Sequence, residues 1–520
     1  MKYASAVLAL LAALILVFPA SVPAENAGET DTRNLVFYEI FTGSFSDSDG
    51  DGLGDLRGVL GRLDYLNDGN PESETSLGIQ GIWLTPVFRS PSYHKYDVED
   101  YYAVDPDFGT MEDLAALTEA CHARGIRLIL DLPLNHTGSG HPWFRSFLNA
   151  RRLHNDQNPY YDYYICRASE EREPGHAYYP VSGTDFWYEA NFSRDMPELN
   201  YENETVRQAA LDIARFYLDM GVDGFRFDAA KYIFFGDNVR SAAFWQWYTG
   251  ELRALRPDVW LVAEVWDSDA VTEKYFSCMD CFDFTMSQAG GLIADTAAGG
   301  DVNRYTAYVE KYLETVTALR PEAMIVPFIS NHDMDRAAGY LPDGNGRIRT
   351  AANLYLLGPG APFIYYGEEI GLRGSRGGAP TDANRRLAMR WGDGDAVADP
   401  AGSDYTKQTE ATVQSMQGER NSLFNYYRRL IALRKAHPEI AGGSYKALNL
   451  KDTKLGGFIA SRDGRSVLVV HNTTQRILTL ELEGPELEGF TEITGFIGSG
   501  FVTLEGRTLT VEGQTSAVLR

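Results

Sequence analysis

Eight apolar runs divide most of the chain: Leu35–Phe45, Gly78–Phe88, Ile126–Leu134, Val222–Asp228, Val259–Trp266, Cys281–Met286, Met324–Ser330 and Pro362–Tyr366. Between them lie segments of helical periodicity, among them Met111–Arg124, Glu204–Met220, Ala242–Leu255, Asn303–Leu319 and Ile348–Leu357, with Leu423–Ala436 after the last run. Strands that alternate with helices predict a parallel sheet, either closed as a (β/α)8 barrel or left open. The barrel makes the sharper demand, because its chemistry sits at the C-terminal ends of the strands.

The strand exits carry that chemistry. The third run leads into Asp131-Leu132-Pro133-Leu134-Asn135-His136, the fourth ends Gly224-Phe225-Arg226-Phe227-Asp228, the fifth ends Glu264-Val265-Trp266, and the seventh leads into Ser330-Asn331-His332-Asp333. Strand side chains repeat every second residue, so Arg226 shares a face with Asp228, and a guanidinium beside a carboxylate favours its charged form. Asp228 is therefore expected to be an ionised nucleophile. For that pair alone, a structural ion pair is an equal reading. Carboxylates at the fourth, fifth and seventh exits, with histidines at the third and seventh, decide for a joint functional site.

These stretches resemble the four sequence regions of the α-amylase superfamily, glycoside hydrolase family thirteen, and Met196-Pro197-Glu198-Leu199-Asn200 resembles its fifth, in a form between oligo-1,6-glucosidases and neopullulanases. The resemblance runs from about Leu35 to the C-terminus. It implies Asp228 as nucleophile, Glu264 as general acid/base and Asp333 as the third carboxylate. It also implies His136, His332, Arg226 and Lys231 as groups that hold sugar hydroxyls or the nucleophile, and Tyr96 and Asp97 as the stacking Tyr and sugar-binding Asp. Retaining glycoside cleavage independently calls for one ionised carboxylate and one protonated carboxyl. Glu264 lies between Val262-Ala263 and Val265-Trp266, which predicts an apolar setting that raises its pKa.

In Asp47-Ser48-Asp49-Gly50-Asp51-Gly52-Leu53-Gly54-Asp55, acids at every second position alternate with glycines. Such a loop converges oxygens on a hard cation, as calcium requires. It opens like an EF-hand but has Gly58 at the twelfth position, and a strand precedes it, so it is a different loop. The resemblance implies Asp47, Asp49, Asp51, Asp55 and the Leu53 carbonyl as Ca2+ ligands. It also implies that a second calcium, which bridges the inserted subdomain to the barrel in many members, would use Asn135. Tyr232 departs from that pattern, standing where many amylases carry His.

Residues 137–195 form an insertion too long for a barrel loop, rich in aromatic residues such as Tyr160, Tyr163, Tyr178, Trp187 and Tyr188. The expected layout is a signal segment over 1–24, barrel over 25–136, inserted subdomain over 137–195, barrel over 196–440, and a C-terminal antiparallel β-sandwich over 441–520. The sandwich is read from Gly457–Arg462, Ser466–Asn472, Ile477–Leu482, Phe501–Leu504 and Ser516–Leu519. Lys2, the apolar run Val7–Phe18 and the small-residue exit Val22-Pro23-Ala24 have the form of a secretory signal, so a secreted or periplasmic protein is expected. The run is too short to span a membrane. A net charge of −25 argues against nucleic acid as a partner. Cys121 reads as a helix core residue, and Cys278 and Cys281 could form a short-range bridge in an exported protein.

The leading expectation is a monomeric exported hydrolase of α-1,4 bonds in α-glucans such as starch or maltooligosaccharides. A transglycosylase, isomerase or oligo-1,6-glucosidase on the same fold is the first alternative. A non-catalytic amylase-like binding protein is the second, and the intact acids argue against it. In the resembling family, members specific for α-1,6 bonds often carry Val directly after the nucleophile. Ala229 therefore tips the reading towards α-1,4.

Overall fold

Each of the eight apolar runs supplies one strand of a single parallel sheet: Phe37–Ile40, Gly81–Leu84, Arg127–Leu132, Gly224–Phe227, Trp260–Ala263, Asp280–Phe282, Ile325–Val326 and Phe363–Tyr365. The structure is a computed structural model that describes residues 34–377 and 382–520, so the signal segment expected over 1–24 lies outside the described residues. Neighbours in the sheet follow chain order, and the first strand also pairs with the eighth. Hydrogen bonds from Ala361 N–H to Ile325 O and from Phe363 N–H to Pro327 O, both 3.0 Å, join the seventh strand to the eighth. The sheet thereby closes into a (β/α)8 barrel. The strands are shorter than the apolar runs because the runs continue into exit loops, as where Phe37–Ile40 gives way to a 3-10 turn at Thr42–Ser44.

Period-two alternation sorts these strands into two faces. Tyr38, Ile40, Leu128, Leu130, Phe225 and Phe227 pack outward against the helices. Phe37, Trp83, Ile129, Trp260, Val262, Phe282, Val326 and Phe363 fill the barrel, with the Phe37 ring 4.4 Å from Trp260 and 4.6 Å from Phe363. Gly224 is required by this closeness, since a Cβ there would lie 1.8 Å from Trp260 O. Two residues beyond Phe37, Ile129 and Gly224 on the same inward face come Glu39, Asp131 and Arg226. The aromatic filling is thus the floor on which a buried charged layer stands.

The helices begin where the sequence offers caps. Thr110 and Asp113 form a reciprocal capping box for Met111–His122, and Asn203 caps Glu204–Met220, which ends on left-handed Gly221. After the third strand the chain builds a helix, Pro142–Arg152, and a small antiparallel sheet of Cys166–Ala168, Tyr178–Pro180 and Phe186–Glu189. The C-terminal region forms a five-stranded and a three-stranded antiparallel sheet, whose inner residues Leu468, Val470, Leu480, Leu509 and Leu519 share one apolar core. Three of its strands, Ser444–Ala447, Ile493–Ile497 and Thr508–Val511, were not among those expected. The first is four residues long with no buried position, and the second has a single buried residue at its end, so neither forms an apolar run. Cys278 and Cys281 are buried free thiols and form no bridge, and Cys121 is a buried helix residue.

Candidate active site

Arg226 ends the inward face of the fourth strand, fully buried. Its Nη1 donates to both oxygens of Asp131 (2.8 and 2.9 Å) and to Asp228 Oδ1 (2.7 Å), while Nη2 donates to Glu264 Oε2. Three strand exits therefore meet on one guanidinium. Trp83 Nε1 (3.2 Å) and Tyr96 Oη (2.9 Å) also donate to Asp131 Oδ2. Burial pushes the Asp131 carboxyl up to about 7 against the pull of Arg226. Burial alone would weaken the guanidinium, but Asp131, Tyr96 and Asp228 hold it charged.

A second assembly forms at the seventh strand exit. His332 donates from Nδ1 to Glu39 Oε1 (2.6 Å) on the first strand, and its Nε2 lies 2.7 Å from Tyr96 Oη and 3.0 Å from Asp333 Oδ2. Burial would lower the ring's pKa, yet Asp333 and Glu39 push it up to about 9, so it is a cation at neutral pH. Arg386 Nη2 donates to Asp333 Oδ1 (2.7 Å). Burial would raise the Asp333 carboxyl, but His332 and Arg386 hold it well below the usual carboxylate range.

Above these groups opens a cavity of about 1000 Å3, with Asp228, Glu264, Asp333, Tyr96, His136 and Lys231 in its wall. His136 is buried and its pKa lowered by that burial, so the ring is neutral, with Nε2 3.2 Å from Tyr96 O. Lys231 Nζ donates to Trp266 O (2.7 Å) and Asp267 Oδ2 (2.9 Å), tying the loops after the fourth and fifth strands together. Two residues in this region carry left-handed backbone: Ala229 (φ 46°), directly after Asp228, and Lys95 (φ 63°), directly before Tyr96. Each such non-glycine residue costs about 1–3 kcal/mol, held in place by its surroundings.

Asp97 is not in the cavity wall. Its Oδ1 accepts from the Ser90 and Ser92 hydroxyls, so it shapes the loop that presents Tyr96. The setting of Glu264 also differs from expectation: Val262, Ala263 and Val265 are buried around it, but its carboxyl meets Arg226 and is not in an apolar pocket. Sequence reading missed Glu39, Asp131 and Trp83 as members of the site, although an acid inside an apolar strand was a usable signal for the first two. Arg386 carried no such signal, because no strand or spacing links it to Asp333.

Away from the cavity, Asp47, Asp49 and Asp55 bring carboxylate oxygens within 4.8 Å of one another, the sole such His/Cys/Asp/Glu group among the described residues. That spacing suits a hard cation at roughly 2.3–2.6 Å from each oxygen. Asp51 is outside the group, its Oδ1 accepting from Leu53 N–H (2.7 Å). Asp55 also caps the helix Leu56–Gly61 by accepting from Gly58 N–H. A Cβ at Gly58 would lie 1.9 Å from Ser46 O, which is why no glutamate stands there. Asn135 is buried beside Glu198, whose carboxyl is pushed up to about 8 by burial and by Glu189.

A closed parallel barrel whose C-terminal rim gathers a nucleophile-type carboxylate, a second carboxyl and a third beside a cationic histidine defines a glycoside hydrolase barrel. Residues 39–443 match the family model described as "Alpha amylase, catalytic domain", and the chain belongs to the α-amylase family. It is 34% identical over 451 residues to Alpha-amylase 3 of Dictyoglomus thermophilum, covering 85% of each chain. It is 31% identical to the trehalose synthase/amylase TreS of Mycobacterium tuberculosis, over 92% of this chain and 88% of the relative. The solved structure of Amy13B from Eubacterium rectale superposes with a TM-score of 0.86 at 31% identity, covering 93% of this chain and 95% of that one.

The histidine assembly sets a pH dependence. The folded pKa of His332 is raised above its ordinary value, so the stability it contributes is complete below pH ~6.5 and is lost as pH rises through about 9. The melting temperature of the wild type is expected to fall more steeply between pH 6.5 and 9.5 than that of His332→Gln. Parallel curves by differential scanning calorimetry would remove the charge assignment.

Proposed function

We propose that the chain is an exported, retaining hydrolase of α-1,4-glucosidic bonds in starch, maltodextrin or related α-glucans. The observation that carries the reading is the seating of Asp228 and Glu264 on the two terminal nitrogens of one guanidinium at the floor of the cavity. That arrangement favours the short separation, about 5–5.5 Å, of retaining enzymes over the wider gap that an inverting enzyme leaves for water. Asp228 attacks the anomeric carbon while Glu264, acting in its protonated form, gives the proton on the oxygen not engaged by Arg226 to the departing glycosidic oxygen. In the second step Glu264 takes a proton from the incoming water, whose oxygen displaces Asp228. Asp333, fixed by His332 and Arg386, supplies negative charge near the positive charge that develops on the ring. All of these groups come from one chain, so a monomer suffices. The pattern Lys2, Val7–Phe18 and Val22-Pro23-Ala24 supports export.

Asp228→Asn and Glu264→Gln are each expected to remove nearly all turnover of maltooligosaccharides while circular dichroism and melting temperature remain near wild type. Near-normal activity in either folded variant overturns the assignment of the pair.

Bond preference rests on Ala229, which stands in the cavity wall directly after Asp228 and is assigned to the leaving-group side by the resemblance. A branched side chain there changes the space by one or two methyl groups, worth roughly 1–3 kcal/mol of discrimination. The wild type is expected to show higher kcat/KM on maltotriose than on isomaltotriose, and Ala229→Val a relative gain for the latter. Because β-branched residues tolerate left-handed backbone poorly, the same variant should also melt at a lower temperature. A wild-type preference for isomaltotriose would shift the reading to an oligo-1,6-glucosidase, the alternative favoured by the form of Met196–Asn200.

Asp47, Asp49 and Asp55 fit Ca2+, which would hold the acidic loop closed. Backbone N–H groups of Gly50, Gly52 and Asp49 outweigh the upward push of burial and keep the Asp47 pKa low, so it is ionised and ready to bind. A ligand bound only by the folded state stabilises it. Chelation is expected to lower the melting temperature while sparing low-temperature activity, and Asp49→Ala should abolish that shift. If Asp49→Ala keeps the full shift, the cation sits elsewhere.

A further inference from the structure

Glu39 is the lone acid of an apolar strand, Phe37–Ile40, and is buried on the face that looks into the barrel. Its ion-pair partner is His332, 293 residues away, which gives both its backbone N–H (3.2 Å) and its Nδ1 proton (2.6 Å) to the same oxygen, Oε1. The ring is wedged as well as bonded. Tyr96 stacks on it at 5.6 Å and 9°, Trp83 meets it edge-on at 5.5 Å, and Arg386 Nε donates to the His332 backbone O (3.0 Å). A buried carboxylate bound to a ring this closely confined sets more than the local packing.

The state of the ring follows from the protons around it. Tyr96 donates its hydroxyl proton to Asp131 Oδ2 (2.9 Å), so towards His332 Nε2, 2.7 Å away, it offers a lone pair. Asp333 Oδ2 offers another at 3.0 Å. With Nδ1 bound to Glu39, both ring nitrogens face oxygens that can only accept, and a neutral imidazole, which has one N–H, would turn a lone pair on one of them. A carboxylate on each side therefore holds the ring doubly protonated. The other charged or titratable groups packed around this assembly are Asp131 on the third strand, Arg226 on the fourth, Tyr365 on the eighth and Arg386 beyond it. The two guanidiniums oppose a charge on the ring, which leaves the carboxylates at its nitrogens to sustain it.

Of Glu39, His332 and Asp333, Asp333 stands in the cavity wall and the other two lie behind it. We propose that Glu39 is a positioning residue for glycoside cleavage: from outside the cavity it holds His332 charged and square to Asp333, and through that ring it fixes the charge and aim of Asp333 at the reacting sugar. The inference rests on the hydrolase reading above and extends it to a residue that does not touch substrate. A glutamine at this position keeps the shape and can still accept from Nδ1, but the ring then has one carboxylate instead of two, and its Nε2 proton leaves at lower pH. With that proton gone, a lone pair faces Asp333 and pushes its side chain off the ring. The fixed negative charge that should meet the developing positive charge of the sugar is then misplaced.

The test is Glu39→Gln, read in two ways. In protein labelled with nitrogen-15 at histidine, with the His332 signals assigned by their loss in His332→Gln, the wild type should show both ring nitrogens protonated at pH ~7.5 and Glu39→Gln a neutral ring. On maltotriose, the ratio of wild-type to Glu39→Gln kcat/KM should rise about tenfold from pH ~5 to pH ~8, because in that window the variant's ring loses its proton and the wild type's does not. The ratio removes the titrations of Asp228 and Glu264, which both enzymes share. Glu39→Asp, which keeps the charge, should recover much of the loss at the upper pH. A ratio that is flat in pH would make Glu39 a structural support alone. A ring still charged in Glu39→Gln would overturn the proposal, and so would a neutral ring in the wild type, a result that needs no variant of Glu39 to fold. A charged ring in a wild type inactive on every α-glucan tried would overturn the hydrolase reading, and the part of Glu39 in it, while leaving the charge of His332 as assigned.

Discussion

One buried guanidinium organises the site. Arg226 stands fully enclosed on the inward face of the fourth strand and binds Asp131, Asp228 and Glu264 together. Taking a cation and its carboxylates out of water is costly, and their attraction repays this only when the geometry is good and the remaining donors and acceptors are satisfied. The barrel meets the first and satisfies both terminal nitrogens, leaving only the Arg226 Nε buried without a partner among the described residues. Period-two alternation puts Arg226 and Asp131 in direct register on adjacent strands, Trp83 and Tyr96 complete the hydrogen bonds of Asp131, and the Trp83 ring lies under the guanidinium at 5.0 Å. The aromatic filling below keeps water out and fixes the height of the charged layer. Orientation of two reacting carboxyls is thereby built into strand register instead of being left to mobile loops.

The rim is held under tension where the floor is relaxed. Ala229 and Lys95 adopt left-handed backbone that their side chains do not favour. At Ala229 the geometry is enforced on both sides, by Ala230 N–H donating to Glu264 O (3.0 Å) and Tyr232 N–H donating to Ala229 O (2.8 Å). At Lys95 it is enforced through the side chain, whose ammonium is buried between Asp105 (3.0 Å) and Asp107 (3.1 Å). In both cases the strained residue adjoins a group in the cavity wall, Asp228 or Tyr96, and turns the chain sharply enough to present it to the cavity.

The barrel and its carboxylates were legible because both follow from local rules. Apolar runs separated by helical periodicity announce strands, and acids at run ends announce strand exits, so Asp228, Glu264 and Asp333 could be read from position alone. What was not legible depends on contacts between distant parts of the chain. Arg386 reaches Asp333 from 53 residues away, through loops that carry no periodic signal. The setting of Glu264 was misread because flanking residues describe a strand's neighbours along the chain, whereas its partner Arg226 comes from the adjacent strand. Asp97 was misplaced for a related reason: a motif gives the order of residues in a loop, but which of them turns inward depends on the left-handed Lys95, and nothing in a lysine announces that backbone.

The acidic loop acts on the barrel at its seam. It follows the first strand, and it docks on the segment after the eighth: Ser46 Oγ and Asp47 N–H donate to Asp395, Arg62 spans Asp393 and Asp395, and Ala398 N–H donates to Gly52 O. Arg62 also lies over the Trp391 ring at 4.1 Å, and Trp391 Nε1 donates to Phe45 O with its ring packed edge-on against Phe45. These contacts clasp the two ends of the barrel's strand order on the face that carries the cavity. A cation held by Asp47, Asp49 and Asp55 would stiffen this clasp without touching Asp228, Glu264 or Asp333. The loop is therefore placed to govern whether the barrel stays closed, while the chemistry at its centre depends on the guanidinium that closure keeps dry.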